Sequence, residues 1–159
     1  MSKQLDVYLH DSLAGQLEQD KHGRVSFVYD SSWLERADSM PLSHSLPLRA
    51  ERYQGKECQG FFAGVLPEEQ NREIIASILG ISARNDFALL EQIGGECAGA
   101  VTFIPAGSVL PVSRAEYRPL DEAELAEILR ELPHRPLMAG SKDIRLSLAG
   151  AQNKLAVHV

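Results

Sequence analysis

Cysteine is scarce in this chain. Cys58 and Cys97 are the only two, far apart in sequence, with no CxxC spacing and no histidine beside them at ligand distance. They read as buried free thiols rather than as a metal site or a disulfide. Positive charge is also short: 16 Lys and Arg stand against 22 Asp and Glu, a formal net charge of −6. Phosphate contacts need a basic face, so the composition argues against a stand-alone nucleic-acid binder, and any contact with DNA is expected to run through a partner. Long apolar runs are missing. The amino terminus MSKQLDVYLH lacks the apolar core of a signal peptide and no stretch approaches bilayer-spanning length, so a cytoplasmic protein with no membrane partner is expected. Repeats and low-complexity tracts are absent as well. The five histidines, His10, His22, His44, His134 and His158, form no pair at ligand spacing, and solvated or packing roles are expected for them. Glu68, Glu69, Glu122, Glu124 and Glu127 look like solvated helix faces, not a hydrolytic carboxylate pair.

What is present suits one substantial core: 159 residues, 44% of them hydrophobic. Leu5, Val7 and Leu9 alternate; Asp11-Ser12 punctuates; Leu13 to Leu17 can pair back. After the Asp20-Lys21-His22-Gly23 turn, Val25, Phe27 and Tyr29 alternate again. The first thirty residues therefore predict a meander of three antiparallel strands, with Trp33 and Leu34 covering one end. Pro41 to Leu48, with two prolines and alternating leucines, predicts an extended segment. Arg49 and Arg52 follow it and could bind an anion, though a surface pair is the simpler reading.

From Phe61 the periodicity changes. Pro67 with Glu68 and Glu69 predicts a helix start; Ile74, Ile75, Ile78 and Leu79 supply its apolar face, and Gly80 ends it. Asp86 predicts a second cap, with Phe87, Leu90 and Ile93 on one face and Gly94-Gly95 as the stop. Ala98 to Ile104 reads as a buried central strand ended by Pro105. Residues 106 to 119 form a connector. Asp121 and Glu124 then predict a capped helix carrying Leu125, Ile128, Leu129 and Leu132, ended by Pro133. A boundary near Pro133 to Ser141 divides the chain into a domain over 1–135 and the start of another unit over 141–159. The expected fold class is α+β: a mostly antiparallel sheet with the Pro67, Asp86 and Asp121 helices packed on it.

The carboxy-terminal stretch RLSLAGAQNKLAVHV carries the chemistry. Ile144, Leu146 and Leu148, then Leu155, Val157 and Val159, alternate as two half-buried strands around the small-residue loop Ala149-Gly150-Ala151-Gln152-Asn153. Main-chain N–H groups in such a loop can converge on an anion, and Ser147 and Lys154 flank it. On pattern alone it matches neither a Walker loop nor the Gly-rich kinase loop, and a plain hairpin turn is the favoured reading.

Several blocks in order change that weighting: PLSHSLPL at Pro41 to Leu48, FFAGVLPEEQNRE at Phe61 to Glu73, DFALLEQIGGECAGAVTFIP at Asp86 to Pro105, and RLSLAGAQNKLAV from Arg145. Together they resemble the N-terminal part of the HipA family of serine/threonine kinases, the toxins of HipA/HipB-type toxin–antitoxin pairs. The resemblance implies a HipA N-terminal subdomain followed by the first hairpin of a kinase-like nucleotide-binding lobe. The cofactor-binding residues it implies are Leu148, Ala149, Gly150, Ala151, Gln152 and Asn153, donating main-chain N–H groups to ATP phosphates, with Lys154 at the loop exit. Asn153 stands where relatives often carry an acid. Ser147 matches a serine that the family autophosphorylates as an off switch. ATP and Mg are implied for the intact protein, with no cofactor held tightly by this chain. The family places its catalytic and metal-binding acids downstream of the loop, so no catalytic or metal-binding residue is expected here and the chain alone is not expected to transfer a phosphoryl group. The implied partners are a helix-turn-helix, HipB-like antitoxin, operator DNA through it, and a protein substrate. The alternative is a stand-alone module regulating a separately encoded kinase; the terminal hairpin, of no use to such a module, favours the kinase.

Overall fold

The computed structural model describes residues 2–96, 100–109, 119–134 and 136. Alternation of apolar and polar residues builds β1 (Lys3–Leu9), β2 (Ser12–Gln19) and β3 (Val25–Tyr29), the three-stranded meander expected. A short β4 (Tyr53–Gln54) joins β3 and β5 (Val101–Pro105) joins β1, giving an antiparallel sheet in the order β4-β3-β2-β1-β5. Register aligns Leu5 with Leu17, Leu17 with Phe27, and Phe27 with Tyr53, a row of side chains at most 1% exposed. The neighbouring row runs Phe103, Val7, Gly15, Tyr29. A side chain at position 15 has no room: its Cβ would lie 2.7 Å from the Phe27 ring and 2.3 Å from the Val28 carbonyl oxygen. Glycine here lets Phe27 lie flat across the sheet.

Three helices complete the core on the face carrying these rows. In α2 (Lys56–Gly64) Cys58 and Phe62 are buried, α3 (Glu69–Leu79) contributes Ile75 and Ala76, and α4 (Asp86–Ile93) contributes Phe87, Leu89 and Leu90. Phe62 bridges the layers, its ring centroid 5.4 Å from Phe27 and 5.7 Å from Phe103. A single turn, α1 (Ser31–Leu34), seats Trp33 over one end of the meander; Asp30 caps it by accepting from Ser32 N at 2.8 Å. Gly80 ends α3 in the left-handed region (φ 67°), as a C-terminal cap should. The Asp121 cap is also found, a reciprocal capping box with Glu124 at the start of α5 (Glu122–Glu131).

Four expectations need correction. β5 is not a central strand: among the described residues it pairs only with β1 and lies at the sheet edge. Its apolar character comes from burial on both faces, Phe103 at 2% and Ile104 at 6% exposure, rather than from two strand neighbours. The cap of α4 is Asn85, whose side chain accepts from Ala88 N at 3.1 Å; Asp86 sits in the first turn, where its charge suits the helix dipole. Ile78, expected on the apolar face of α3, is 42% exposed, the buried face running through Ile75 and Ala76 instead. No residue within α5 is buried; only Leu132, at its C-terminal cap, reaches the interior. The 141–159 unit and its hairpin lie outside the described residues.

Phe103 stands between Phe62, Val7 and the bare Gly94, whose added Cβ would come within 2.6 Å of Phe103 Cβ. Phe103→Ala is therefore expected to cost roughly 3–5 kcal/mol, while the exposed Glu127→Gln on α5 should cost under about 0.5 kcal/mol. Urea unfolding of the two variants checks the contrast; equal midpoints would contradict the packing described.

Candidate functional site

Two surface features carry organised polar contacts. The first is the segment from Met40 to Leu48, extended as its prolines dictate and bent back at an isolated bridge between Ser43 and Leu46. Aromatic tips rooted in the core hold its main chain. Trp33 Nε1 donates to Met40 O at 3.2 Å, the Tyr29 hydroxyl accepts from Leu42 N at 2.9 Å and donates to Leu46 O, and the Tyr53 hydroxyl donates to Pro47 O. Burial pushes the Tyr29 phenol up to about 12, so it remains a donor at any physiological pH. The strap thus turns one fully buried side chain, Leu46, inward and leaves Met40, Pro41, His44, Ser45, Pro47 and Leu48 exposed.

The second feature is a cavity of about 690 Å³ between the β2–β3 hairpin and the start of α2. Asp20 organises its hairpin wall. One carboxylate oxygen accepts from His22 N and Arg24 N at 2.8 and 2.9 Å, and the other from Arg24 Nε at 2.7 Å. These bonds, the main-chain one to Arg24 foremost, hold the Asp20 carboxyl down at about 2. Arg52 crosses the adjacent strands, pairing with Glu18 and donating to Ser26 Oγ at 2.9 Å. Arg49 turns away from this cavity. Its guanidinium lies 3.6 Å from the centre of the Tyr53 ring and reaches Glu57 at 3.0 Å. Both arginines that the sequence singled out therefore have carboxylate partners.

Cys58 is fully buried, and burial pushes its thiol up to about 12, which agrees with an inert structural cysteine. Cys97 lies outside the described residues, and so do all the implied nucleotide-site residues, Ser147 and Leu148 through Lys154. Among the described residues no group of three or more His, Cys, Asp or Glu side chains could hold a metal ion, and no helix is long and apolar enough to cross a membrane. Neither the strap's tyrosine clamps nor the cavity was anticipated. The strap had a signal in its two prolines and lack of helical period, whereas the cavity depends on pairings between residues distant in sequence.

The sheet order and its packed helices define a small α+β domain of known type. Residues 5–104 match the family described as the HipA N-terminal domain, and the chain belongs to that family. It is 46% identical over 155 residues to a putative kinase, Y4mE, of Sinorhizobium fredii, and 31% identical over 152 residues to the serine/threonine-protein kinase toxin HipA of Shewanella oneidensis. Each alignment covers 95% of this chain but only 37% and 34% of those proteins, so the chain spans about a third of their length. Its fold superposes with a TM-score of 0.68 and 30% identity on a chain from the complex of HipA, HipB and operator DNA of the Shewanella oneidensis MR-1 toxin–antitoxin system, covering 95% of this chain and 34% of that one.

Two outcomes follow from these clamps. Tyr29→Phe strips the donor from Leu46 O and the acceptor from Leu42 N, and should destabilise the protein by about 1–3 kcal/mol with faster exchange of the Leu42 amide, read by urea unfolding and hydrogen exchange. For Asp20 the folded-state carboxyl lies below its ordinary 3.8, so its contribution is complete above that value and is lost as pH falls toward 2. The gap in melting temperature between the parent and Asp20→Asn should therefore be constant from pH 7 to 5 and close on acidification to pH 2.

Proposed function

We propose that this chain is the N-terminal part of a HipA-like toxin, an ATP-dependent serine/threonine protein kinase, and that it supports the nucleotide-binding lobe and docks a HipB-like antitoxin. The observation that carries the reading is the extent of the match: a putative kinase and a serine/threonine-protein kinase toxin align with 95% of the chain, at 46% and 31% identity. The antitoxin and, through it, operator DNA enter as partners because the structural relative was solved with HipB and operator DNA. The net charge of −6 agrees with contact to DNA through a basic partner rather than directly.

In this reading Leu148 through Asn153 give main-chain N–H groups to the ATP phosphates, and Lys154 adds a cation at the loop exit. The donor set suits the ligand, since small residues let the backbone approach an anion and Gly150 has no Cβ to obstruct it. Bound ATP with Mg supplies the transferable phosphoryl group. Ser147 is the modification site. A phosphate there adds about −1.5 to −2 charges next to the place where nucleotide phosphates sit, so modified loop and nucleotide exclude each other. The acids that hold Mg and orient the substrate hydroxyl belong to the rest of the intact kinase, and the isolated chain transfers no phosphoryl group.

Calorimetric titration of ATP into the intact kinase tests the loop. Gly150→Val is expected to abolish binding, Gln152→Ala to leave it nearly intact, and Ser147→Asp to weaken it, while Ser147→Ala leaves the kinase active and free of the switch. Should Gln152→Ala lose ATP while Ser147→Asp keeps it, the loop is not a main-chain cradle.

A further inference from the structure

We propose that the cavity between the β2–β3 hairpin and α2 binds a phosphate monoester through the guanidinium groups of Arg24 and Arg52. Donor-bearing residues from six segments line this one space: Ser2 ahead of β1, Arg24 from the hairpin turn, Ser26 from β3, Arg52 from the approach to β4, Gln54 from β4, and Gln59 from the beginning of α2. The carboxylates in the same wall are already engaged. Asp20 takes Arg24 Nε and two main-chain N–H groups, and Glu18 takes one arm of Arg52.

The terminal nitrogens of Arg24, whose side chain is 79% exposed, have no partner among the described residues. Ser26 Oγ accepts from Arg52, which leaves its own proton to donate. Unspent donors therefore outnumber unspent acceptors, the reverse of what a cation or an amine requires. Each planar guanidinium fork matches a pair of phosphate oxygens, and a monoester dianion carries three such oxygens where a carboxylate carries two. The volume, about 690 Å³, exceeds the needs of a bare ion and leaves room for the group that bears it.

Glu18 sets the affinity. With Arg52 paired to it and Arg24 to Asp20, the empty cavity is close to neutral, so binding is weak, in the millimolar range, and the ligand competes with Glu18 for Arg52. That competition gives the site a signature that plain electrostatic attraction lacks. Removing the charge of Glu18 should tighten binding, whereas removing that of Arg52 should weaken it.

The test is an NMR titration of the isotopically labelled 159-residue chain with inorganic phosphate, with a phosphoserine peptide, and with sodium acetate and potassium chloride at matched ionic strength. Saturable shifts of the Ser26, Gly55 and Gln59 amides are expected with both phosphate probes and not with acetate or chloride. Arg52→Gln should weaken phosphate binding about tenfold or more, Arg52→Lys should recover part of it by restoring charge without the fork, and Glu18→Gln should tighten it about two- to fivefold, the size of an exposed ion pair. Melting temperatures of the three variants within a few degrees of the parent tie the changes to the site. Stronger binding of the peptide than of free phosphate identifies a phosphorylated protein segment as the source, and equal binding identifies the free ion. Matching shifts with acetate or chloride, or weaker phosphate binding by Glu18→Gln, would overturn the proposal.

Discussion

The contact of Phe27 with the bare backbone of Gly15 is the constraint on which the rest of the domain depends. With nothing larger than hydrogen at position 15, the ring crosses from its own row of the sheet to the next and meets Tyr29 at 4.9 Å and Phe62 at 5.4 Å between centroids. Phe62 passes the contact on to Phe103, tying β3, α2 and β5 into one aromatic chain. Edge-to-face and tilted pairs of this kind add to what burial alone contributes. A side chain at 15 would have to displace either the ring or the Val28 carbonyl, and both are fixed by the same sheet.

The elements legible in the sequence were those with a strong local rule. Alternation gave the meander, Gly80 the end of α3, and Asp121 with Glu124 the capping box of α5. Elements without such a rule were missed. β4 is two residues long, too short for a period to appear, and α2 opens at Gly55 with no capping side chain, with Cys58 its sole buried residue before Phe62. The reading of β5 as central failed for an instructive reason: a strand buried on both faces has the same composition whether it has one strand neighbour or two. For Asp86, a carboxylate in the first turn and one at the cap look alike in sequence, and the neighbouring Asn85 took the cap.

The candidate sites divide in a similar way. The proposed nucleotide loop stood out because its sequence resembles a family, and the match over residues 5–104 places the chain in that family without bearing on the loop itself. The hairpin cavity is the opposite case. Glu18, Asp20, Arg24 and Arg52 are unremarkable charged residues in the sequence, and only pairing of β3 with β2 and β4 brings them to one wall. Arg72 shows how the same residue types serve packing instead: it donates to Ala83 O at 2.7 Å and pairs with Asp86, closing the turn between α3 and α4, while Gln19 reaches Asn85 across from β2 at 3.1 Å.

The strap hung from Tyr29, Tyr53 and Trp33 has a wider consequence. Its exposed residues are positioned by phenol and indole groups whose rings belong to the interior, and Tyr29 and Tyr53 both touch Phe27. A core substitution that shifts Phe27 by a fraction of an ångström therefore redraws the outline the molecule presents to other molecules. Drift within the interior of such a domain cannot be neutral for recognition, and a partner surface that fits the strap must change in step with residues it never meets.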